Sequence, residues 1–252
     1  MVTSIRILGL VVCLLFSAVS AHAFGLKLMA EEYPPYSYRL GGESRGLFID
    51  LVRMIQEKLG EKPGKITFYP WARGYKKLQS GTGDVLFPMC MTPERSAEFK
   101  FVGPVFWDDI YFYRKKGSGI ELETVEDAKK IGTIAVTRYD IFHQNLVSMG
   151  YDNLDLSASP KCDFMKLLRG RADLVPMGSK AISYFFLRNP ELDFKQLEKV
   201  GPSVFFTTNY IAFKKDTPDE VIEKWQAALD ELKTEGEWQK LVDKYFPPDL
   251  VN

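Results

Sequence analysis

The sequence lacks several features that mark particular classes of protein. It contains two histidines and three cysteines in 252 residues, and one of each lies within the first 22. No cluster of these residues has the spacing of metal ligands, so we expect neither a metal nor a cofactor. Basic and acidic residues both number 33, which leaves no net charge at pH 7 to attract nucleic acid or acidic lipid.

Long apolar runs are also missing after the N-terminus. The run over residues 7–19 follows Arg6 and is shorter than the roughly 20 residues of a membrane-spanning helix. The Ala-His-Ala that comes after it ends at Ala23 and fits a cleavage site. Cys13 lies inside the run, which does not fit a lipoprotein signal. We therefore expect residues 1–23 to be a secretory signal peptide, cleaved near Ala23 to release a periplasmic protein without membrane insertion.

Strands and helices alternate in the sequence that follows. Apolar runs predict strands over residues 26–30, 66–69 and 84–89, and helical spacing predicts helices over 48–59 and 72–78. This alternation indicates a parallel sheet with right-handed crossovers.

The same alternation recurs after residue 115. Helices are predicted over 124–130, 141–149 and 163–169, and strands over 131–136, 154–156 and 172–177. Thr124 and Asp127 have the spacing of a capping box. Two late helices are predicted over 218–233 and 238–245, the first with Thr217 as its cap.

The repeated alternation predicts an α/β fold of two lobes, each a mostly parallel sheet flanked by helices. We expect the first lobe to be discontinuous, with residues 24–112 and 211–252, and the second to comprise 113–210. Extended segments at 110–115 and 209–214 are the expected hinges. Cys90 and Cys162 then fall in different lobes; one disulfide is an open alternative in this compartment, but two separate thiols are the expectation.

Five short motifs, in order along the chain, resemble the family 3 extracellular solute-binding proteins, which have the type II periplasmic-binding fold. They are Tyr-Pro-Pro-Tyr at 33–36, Gly-Leu-Phe-Ile-Asp-Leu at 46–51, and the segments 78–85, 91–95 and 170–173. The resemblance implies a monomeric receptor that captures a small polar ligand, an amino acid or related organic anion. It also implies that a closed form delivers the ligand to the permease of an ABC importer.

Ligands of open parallel sheets bind beyond the carboxyl ends of the strands, so the segments after each strand are the candidate site. In the first lobe these are Tyr33 and Tyr36, then Trp71 and Arg73, then Met89, Cys90 and Arg95. The resemblance implies that Arg95 holds a ligand carboxylate and that Cys90 stands where the family has a small hydroxyl residue. Packing is the alternative for the tyrosines, Trp71 and Cys90, and a solvated helix face is the alternative for Arg73.

The second lobe departs from the family pattern. Thr137, Arg138 and Tyr139 follow its first strand, where the family has glycine and small hydroxyl residues. Counting from Asp173 places Gly178 where the family has an aspartate for the ligand ammonium. One added cation and one missing anion predict a ligand richer in negative charge, or without an ammonium. Pairing of a zwitterion with another acid, such as Asp140 or Asp163, would contradict this hypothesis.

Two other functions are compatible with the fold class. Some relatives are periplasmic dehydratases, which need a general acid. This sequence has no nucleophile elbow and no phosphate-binding loop, and His143 lies inside a predicted helix, where a structural role is expected. We therefore expect no enzyme activity. Presentation of the ligand to a membrane sensor is the other alternative.

Overall fold

The computed structural model describes residues 25–247, and the expected signal peptide lies outside them. The strands are β1 (Leu28–Ala30), β2 (Tyr38–Leu40), β3 (Glu43–Arg45), β4 (Ile66–Phe68), β5 (Val85–Cys90), β6 (Phe99–Lys115), β7 (Ile134–Thr137), β8 (Leu154–Ser157), β9 (Leu174–Gly178) and β10 (Leu197–Lys214). The helices are α1 (Leu47–Lys58), α2 (Trp71–Gln79), α3 (Pro93–Glu98), α4 (Ile141–Ser148), α5 (Pro160–Leu168), α6 (Ile182–Leu187), α7 (Asp219–Thr234) and α8 (Glu237–Tyr245). Two 3₁₀ helices cover Val125–Lys130 and Phe194–Gln196.

Eight strands form one sheet in the order β4-β1-β5-β10-β6-β9-β7-β8, and β2 and β3 form a separate hairpin. Strands β4, β1 and β5 are parallel at one end, which is the first lobe. Strands β9, β7 and β8 are parallel at the other end, which is the second lobe. The predicted two-lobed α/β fold, with a mostly parallel sheet in each lobe, is confirmed.

Two long antiparallel strands, β6 and β10, run from one lobe to the other. Residues 110–114 of β6 pair with β9, and residues 209–213 of β10 pair with β5. Both segments that were expected to be hinges are therefore hydrogen-bonded strands of the sheet. Between the lobes, residues 106–109 pair with 206–209, and the register shifts on either side of this stretch. The lobe boundaries stay a prediction.

Both faces of the sheet are covered in the first lobe, because alternate residues of β1 belong to separate buried clusters. Leu28 and Ala30 pack in the main core, and Met29 packs in a smaller cluster with Trp71. Helix α1 covers the main core with its apolar face, as its helical spacing predicts. Gly46, which precedes α1 at φ 127°, is required there because a Cβ atom would lie 2.4 Å from the Tyr36 carbonyl oxygen.

The capping predictions have mixed outcomes. The capping box of Thr124 and Asp127 is present, although the element is a 3₁₀ helix. The prediction that Thr217 caps α7 is wrong, since Pro218 occupies the N-cap position and the buried Thr217 hydroxyl has no partner among the described residues. The hairpin β2–β3 and the short helices α3 and α6 are additions to the predicted elements.

Among residues 25–247, none of the helices has the length and apolar character that crossing a bilayer requires.

Cys90 and Cys162 are both free thiols.

Candidate ligand-binding site

A cavity of about 50 Å³ lies between the two lobes. It is lined by Glu31, Tyr33, Trp71, Pro88, Cys90 and Arg95 from the first lobe, by Asp140, Ile141, Phe142 and Pro160 from the second, and by Asn209 of β10. Glu31 follows β1, Cys90 ends β5, and Asp140 and Pro160 follow β7 and β8. The cavity therefore lies at the carboxyl ends of parallel strands, where open α/β sheets bind ligands.

Arg95 is the cation of this cavity and is 1% exposed. It lies in the first turn of α3, where Pro93 begins the helix and the Thr92 hydroxyl accepts a hydrogen bond from the Arg95 backbone N–H. Nη1 donates to the Cys90 carbonyl oxygen over 2.9 Å, and Nη2 donates to the Tyr139 carbonyl oxygen over 3.2 Å. Nε is buried with no partner among the described residues, and burial lowers the pKa of the guanidinium.

Two aromatic rings flank the Arg95 guanidinium, whose Cζ lies 5.4 Å from the ring centroid of Trp71 and 5.5 Å from that of Tyr75. These distances are within the range of cation–π attraction. Trp71 is 5% exposed, and its indole Nε1 donates to the Tyr139 carbonyl oxygen over 2.6 Å. The rings fix the plane of the guanidinium and exclude water from it.

The Tyr139 carbonyl is the contact that joins the second lobe to Arg95 and Trp71. Tyr139 has a φ of 63°, in the left-handed region that residues other than glycine rarely adopt. Its backbone N–H donates to His143 Nδ1 over 3.1 Å. His143 thus has a structural contact, and the turn directs the carbonyl of residue 139 toward the first lobe.

Three carboxyl groups lie around the same cavity. Asp140 caps α4, accepting from the His143 N–H over 2.7 Å, and Glu31 follows β1. Asp163 is buried behind them and accepts from the hydroxyls of Thr137, over 2.7 Å, and Ser157.

The pKa of each of these carboxyl groups is raised, chiefly by burial. Neighbouring acids raise the pKa of Glu31 and Asp140 further, against the lowering effect of Arg95. The pKa of Asp163 is raised to about 7. One guanidinium and two acids, Glu31 and Asp140, line the cavity, and this balance favours a ligand that brings positive charge.

A fourth buried acid, Asp108 of β6, lies over Gly178. A Cβ atom at residue 178 would be 2.1 Å from Asp108 Oδ2, so the glycine makes room for this carboxylate. Asp108 accepts from the backbone N–H groups of Lys180 and Ala181 and from the Tyr36 hydroxyl over 3.3 Å. Burial raises the pKa of Asp108 to about 6. An acid from a neighbouring strand thus occupies the space where the family pattern places an aspartate side chain.

Four of the predicted site residues line the cavity together: Tyr33, Trp71, Cys90 and Arg95. The Tyr33 hydroxyl reaches Met177 Sδ of the second lobe over 3.4 Å. The Cys90 thiol donates to Asn209 Oδ1 over 3.3 Å, and burial raises its pKa to about 12, so it remains a neutral thiol. Ligand contact by these residues stays a prediction.

The other predicted residues lie away from the cavity lining. Tyr36 and Met89 are buried in the packed core, Thr137 holds Asp163, and Gly178 lies under Asp108. Tyr139 contributes its carbonyl, while its side chain is 39% exposed.

Arg73 and Arg138 are exposed and lie in a separate surface groove. Arg138 does not line the inner cavity, because Thr137 points inward and the next residue points outward; its contact with a ligand stays a prediction. Glu31 and Asp140 line the cavity beside Arg95, an arrangement that differs from the predicted excess of positive charge.

Sequence reasoning missed Glu31 and Asn209 and considered Asp140 only as an exception. Glu31 directly follows β1 and Asp140 is the third residue after β7, so the strand-end rule could have selected both. Asn209 lies inside β10, and no sequence signal distinguishes it. Within residues 25–247, no group of three or more histidine, cysteine or acidic side chains is arranged to hold a metal ion.

The chain is similar to several known proteins in sequence and in fold. ABC transporter arginine-binding protein 1 of Escherichia coli strain K12 is 26% identical over 240 residues, covering 92% of this chain and 94% of that protein. An ancestral arginine-binding protein bound to arginine has a TM-score of 0.75 at 27% identity, covering 88% of this chain and 97% of that one. The histidine kinase sensor domain with similarity to periplasmic binding proteins has a TM-score of 0.78 at 22% identity, covering 88% and 96%.

The family model of the bacterial extracellular solute-binding proteins, family 3, matches residues 27–248. This match spans both lobes, both long strands and the late helices. The chain therefore belongs to the bacterial extracellular solute-binding proteins, family 3.

Proposed function

We propose that the protein captures a basic amino acid between its lobes in the periplasm and delivers it to an ABC importer. The observation that carries this proposal is the charge of the cavity, where the Arg95 guanidinium faces a group of carboxylates that includes Glu31 and Asp140. The carboxylate of an α-amino acid matches the guanidinium, and its ammonium matches one of the acids. A second positive group on the ligand side chain matches the other acid.

Arg95 is the proposed partner of the ligand carboxylate. Its Nε–H is buried and free to donate, and a planar guanidinium binds a carboxylate through two parallel hydrogen bonds. Trp71 and Tyr33 supply aromatic surface for the aliphatic part of the ligand.

Glu31 and Asp140 are the proposed partners of the ligand's positive groups. Each lies on the cavity wall, one in each lobe, and each has a raised pKa because burial disfavours its charged form and neighbouring acids repel it. A cation between them stabilises both ionised forms. The relatives named as arginine-binding proteins are consistent with such a ligand.

Binding to both lobes couples capture to closure. The stretch of β6 and β10 between the lobes is the proposed hinge, because residues 106–109 and 206–209 pair there between two shifts of register. A closed form stabilised by ligand is then the form that a permease recognises.

The test is binding of amino acids to the mature protein by thermal shift and calorimetry. Arginine is compared with citrulline, which has nearly the same shape without the side-chain charge. We expect arginine or lysine to raise the melting temperature and citrulline to bind at least about tenfold more weakly. Stabilisation by dicarboxylates, with no response to basic amino acids, would contradict the proposal.

Uptake experiments separate transport from the two alternatives. Deletion of the gene is expected to abolish high-affinity uptake of labelled arginine by the native bacterium. Purified protein incubated with arginine is expected to return it chemically unchanged. Normal uptake combined with a lost transcriptional response would indicate a sensor partner, and a modified product would indicate an enzyme.

A further inference from the structure

A second groove between the lobes, of about 440 Å³, is strongly basic. Helix α2 contributes Arg73, Lys76 and Lys77, and the second lobe contributes Arg138 and Tyr139. None of its lining residues lines the inner cavity. The groove therefore contains four cations, supplied by both lobes.

These cations have no acidic partners. Among the described residues, no carboxylate lies within 4 Å of Arg73, Lys76, Lys77 or Arg138, whereas 16 ion pairs form elsewhere. The lysine and arginine side chains of α2 lie instead against aromatic rings. Arg73 Cζ is 5.2 Å and Lys77 Nζ is 5.4 Å from the ring centroid of Tyr69, and Lys76 Nζ is 5.7 Å from that of Tyr139.

The positions of the cations on α2 are unfavourable for the isolated protein. Residues 73, 76 and 77 are neighbours on one helix face, where like charges three or four residues apart repel. On α7, by contrast, the residues at such spacing have opposite charges, since Glu220 pairs with Lys224. Arg138, which belongs to the other lobe, adds a fourth positive charge beside them. A negatively charged partner relieves this repulsion.

We propose that this basic groove is a docking surface for an acidic segment of a partner protein and that it is complete only in the closed form. The inference rests on the proposed function in one respect, since ligand-driven closure is what brings Arg138 to α2. Without closure the partner meets only the three cations of α2. The groove thus gives a membrane partner a means to distinguish closed from open protein.

The geometry fits an acidic protein segment better than a small anion. Arg73, Lys76 and Arg138 are exposed, unlike the buried donors of a small-anion pocket. From residue 73 to residue 80 the lined face of α2 extends about 10 Å, at about 1.5 Å per residue. Several carboxylates along an extended segment match this length, whereas one phosphate does not.

The test measures binding of a fluorescent octaglutamate peptide to the mature protein by anisotropy, at about 0.01 and 0.15 M ionic strength, with and without arginine. The variants are Lys76→Glu/Lys77→Glu, which reverses two charges on α2, and Arg138→Glu, which reverses the contribution of the second lobe. The control for the double variant is Lys116→Glu/Lys195→Glu, and the control for Arg138→Glu is Lys116→Glu alone; each changes the net charge by the same amount at exposed lysines outside the groove.

We expect each groove variant to weaken peptide binding at least about tenfold and the control to weaken it less than about twofold. Arginine is expected to tighten peptide binding to wild type and to have no such effect on Arg138→Glu. Equal losses in groove and control variants would overturn the proposal, because they would indicate only long-range charge. An unchanged affinity of Arg138→Glu would overturn the part played by the second lobe.

Two further arms keep the result unambiguous. Inorganic phosphate and vesicles of anionic phospholipid replace the peptide, and tighter binding of either through the same residues would overturn the choice of a protein partner. Arginine affinity of Lys76→Glu/Lys77→Glu is expected to be at most about twofold weaker than that of wild type, since both lysines lie outside the inner cavity. If wild type fails to bind arginine, the proposed function fails, while peptide binding still tests the groove directly.

Discussion

The two lobes contribute to the inner cavity in different ways. The first lobe supplies six lining residues, including Arg95, Trp71 and Tyr33, from the ends of three different strands. The second supplies four, three of them from the single turn at residues 140–142. The buried guanidinium and the flanking rings belong to one lobe, and the second lobe adds an acid, a backbone carbonyl and an apolar cover.

This difference indicates that the two lobes have different roles in the proposed binding of a ligand. The first lobe holds a preorganised binding surface, because Arg95 is fixed by α3, by two rings and by the Cys90 carbonyl. The second lobe carries strain and uncompensated charge, with Tyr139 at positive φ and Asp140 and Asp163 at raised pKa. Affinity is then expected to depend most on the first lobe, whereas the response of stability to pH is expected to involve both, through Glu31 of the first lobe and Asp140 and Asp163 of the second.

The largest expected effect is the loss of Arg95. Arg95→Ala is expected to weaken binding of a basic amino acid by about 2 to 5 kcal/mol, since a buried carboxylate partner is left unpaired. Calorimetric titration measures this, with Arg73→Ala as the control, because Arg73 is exposed and outside the cavity. A change below about 0.5 kcal/mol for Arg95→Ala would mean that the first lobe does not hold the ligand carboxylate.

The next effect concerns Asp163 of the second lobe. Its pKa rises from its ordinary value to about 7 on folding, so the protonated acid favours the folded state. The free energy of unfolding is therefore expected to fall as pH rises from about 4 to about 7, by an amount on the order of 3 kcal/mol. Denaturant titration at several pH values measures this. Asp163→Asn should make the profile shallower by this amount, with a remaining slope from Asp108, Glu31 and Asp140, and an identical profile for wild type and variant would refute the assignment.

Neutralising an acid on each side of the cavity tests the lobes against each other. Glu31→Gln in the first lobe and Asp140→Asn in the second are each expected to weaken arginine binding by about 1.5 to 3 kcal/mol, with a smaller effect on citrulline. Asparagine also caps helices well, so α4 is expected to remain intact in the second variant. Asp152→Asn, at an exposed position, is the control. Equal losses for arginine and citrulline would show that neither acid recognises the side-chain charge.

The smallest effect concerns the bond that joins the lobes. Trp71→Phe keeps an aromatic ring but removes the N–H donor to the Tyr139 carbonyl. We expect a loss of about 0.5 to 1.5 kcal/mol in ligand affinity. Trp238→Phe is the matched control, because it removes the indole bond to the Val105 carbonyl inside one lobe. If both variants change stability equally and neither changes affinity, the Trp71 bond has no part in closure.

Periodicity predicted most elements of the fold, because apolar spacing is set by the core that each helix or strand covers. It underestimated β6 and β10, each of which contains a Gly-Pro pair, at residues 103–104 and 201–202. Such pairs ordinarily end a strand, yet here the long strands continue past them from one lobe to the other. The length of a strand that passes between two lobes depends on partners far away in the sequence.

The site was predictable where one residue type has one use. Arg95 lines the cavity, in the position that its motif led us to expect, and its contact with a ligand stays a prediction. The acidic residues were harder to predict. Counting along the chain tests only whether residue 178 is acidic, and it cannot show that Asp108 from another strand occupies the same space. Periodicity did not indicate that Arg138 lies outside the inner cavity, because the face to which a residue points after a strand depends on where the strand ends.

The left-handed turn at Tyr139 places a backbone carbonyl where it competes with a ligand for hydrogen-bond donors of the first lobe. The carbonyl of this residue already accepts hydrogen bonds from Arg95 Nη2 and Trp71 Nε1. Any ligand oxygen that takes either donor must displace a bond the protein makes to itself, so that contact contributes only the difference between the two bonds. Substitutions that shift the backbone at residue 139 therefore tune how readily the ligand is released, without touching a residue that contacts it.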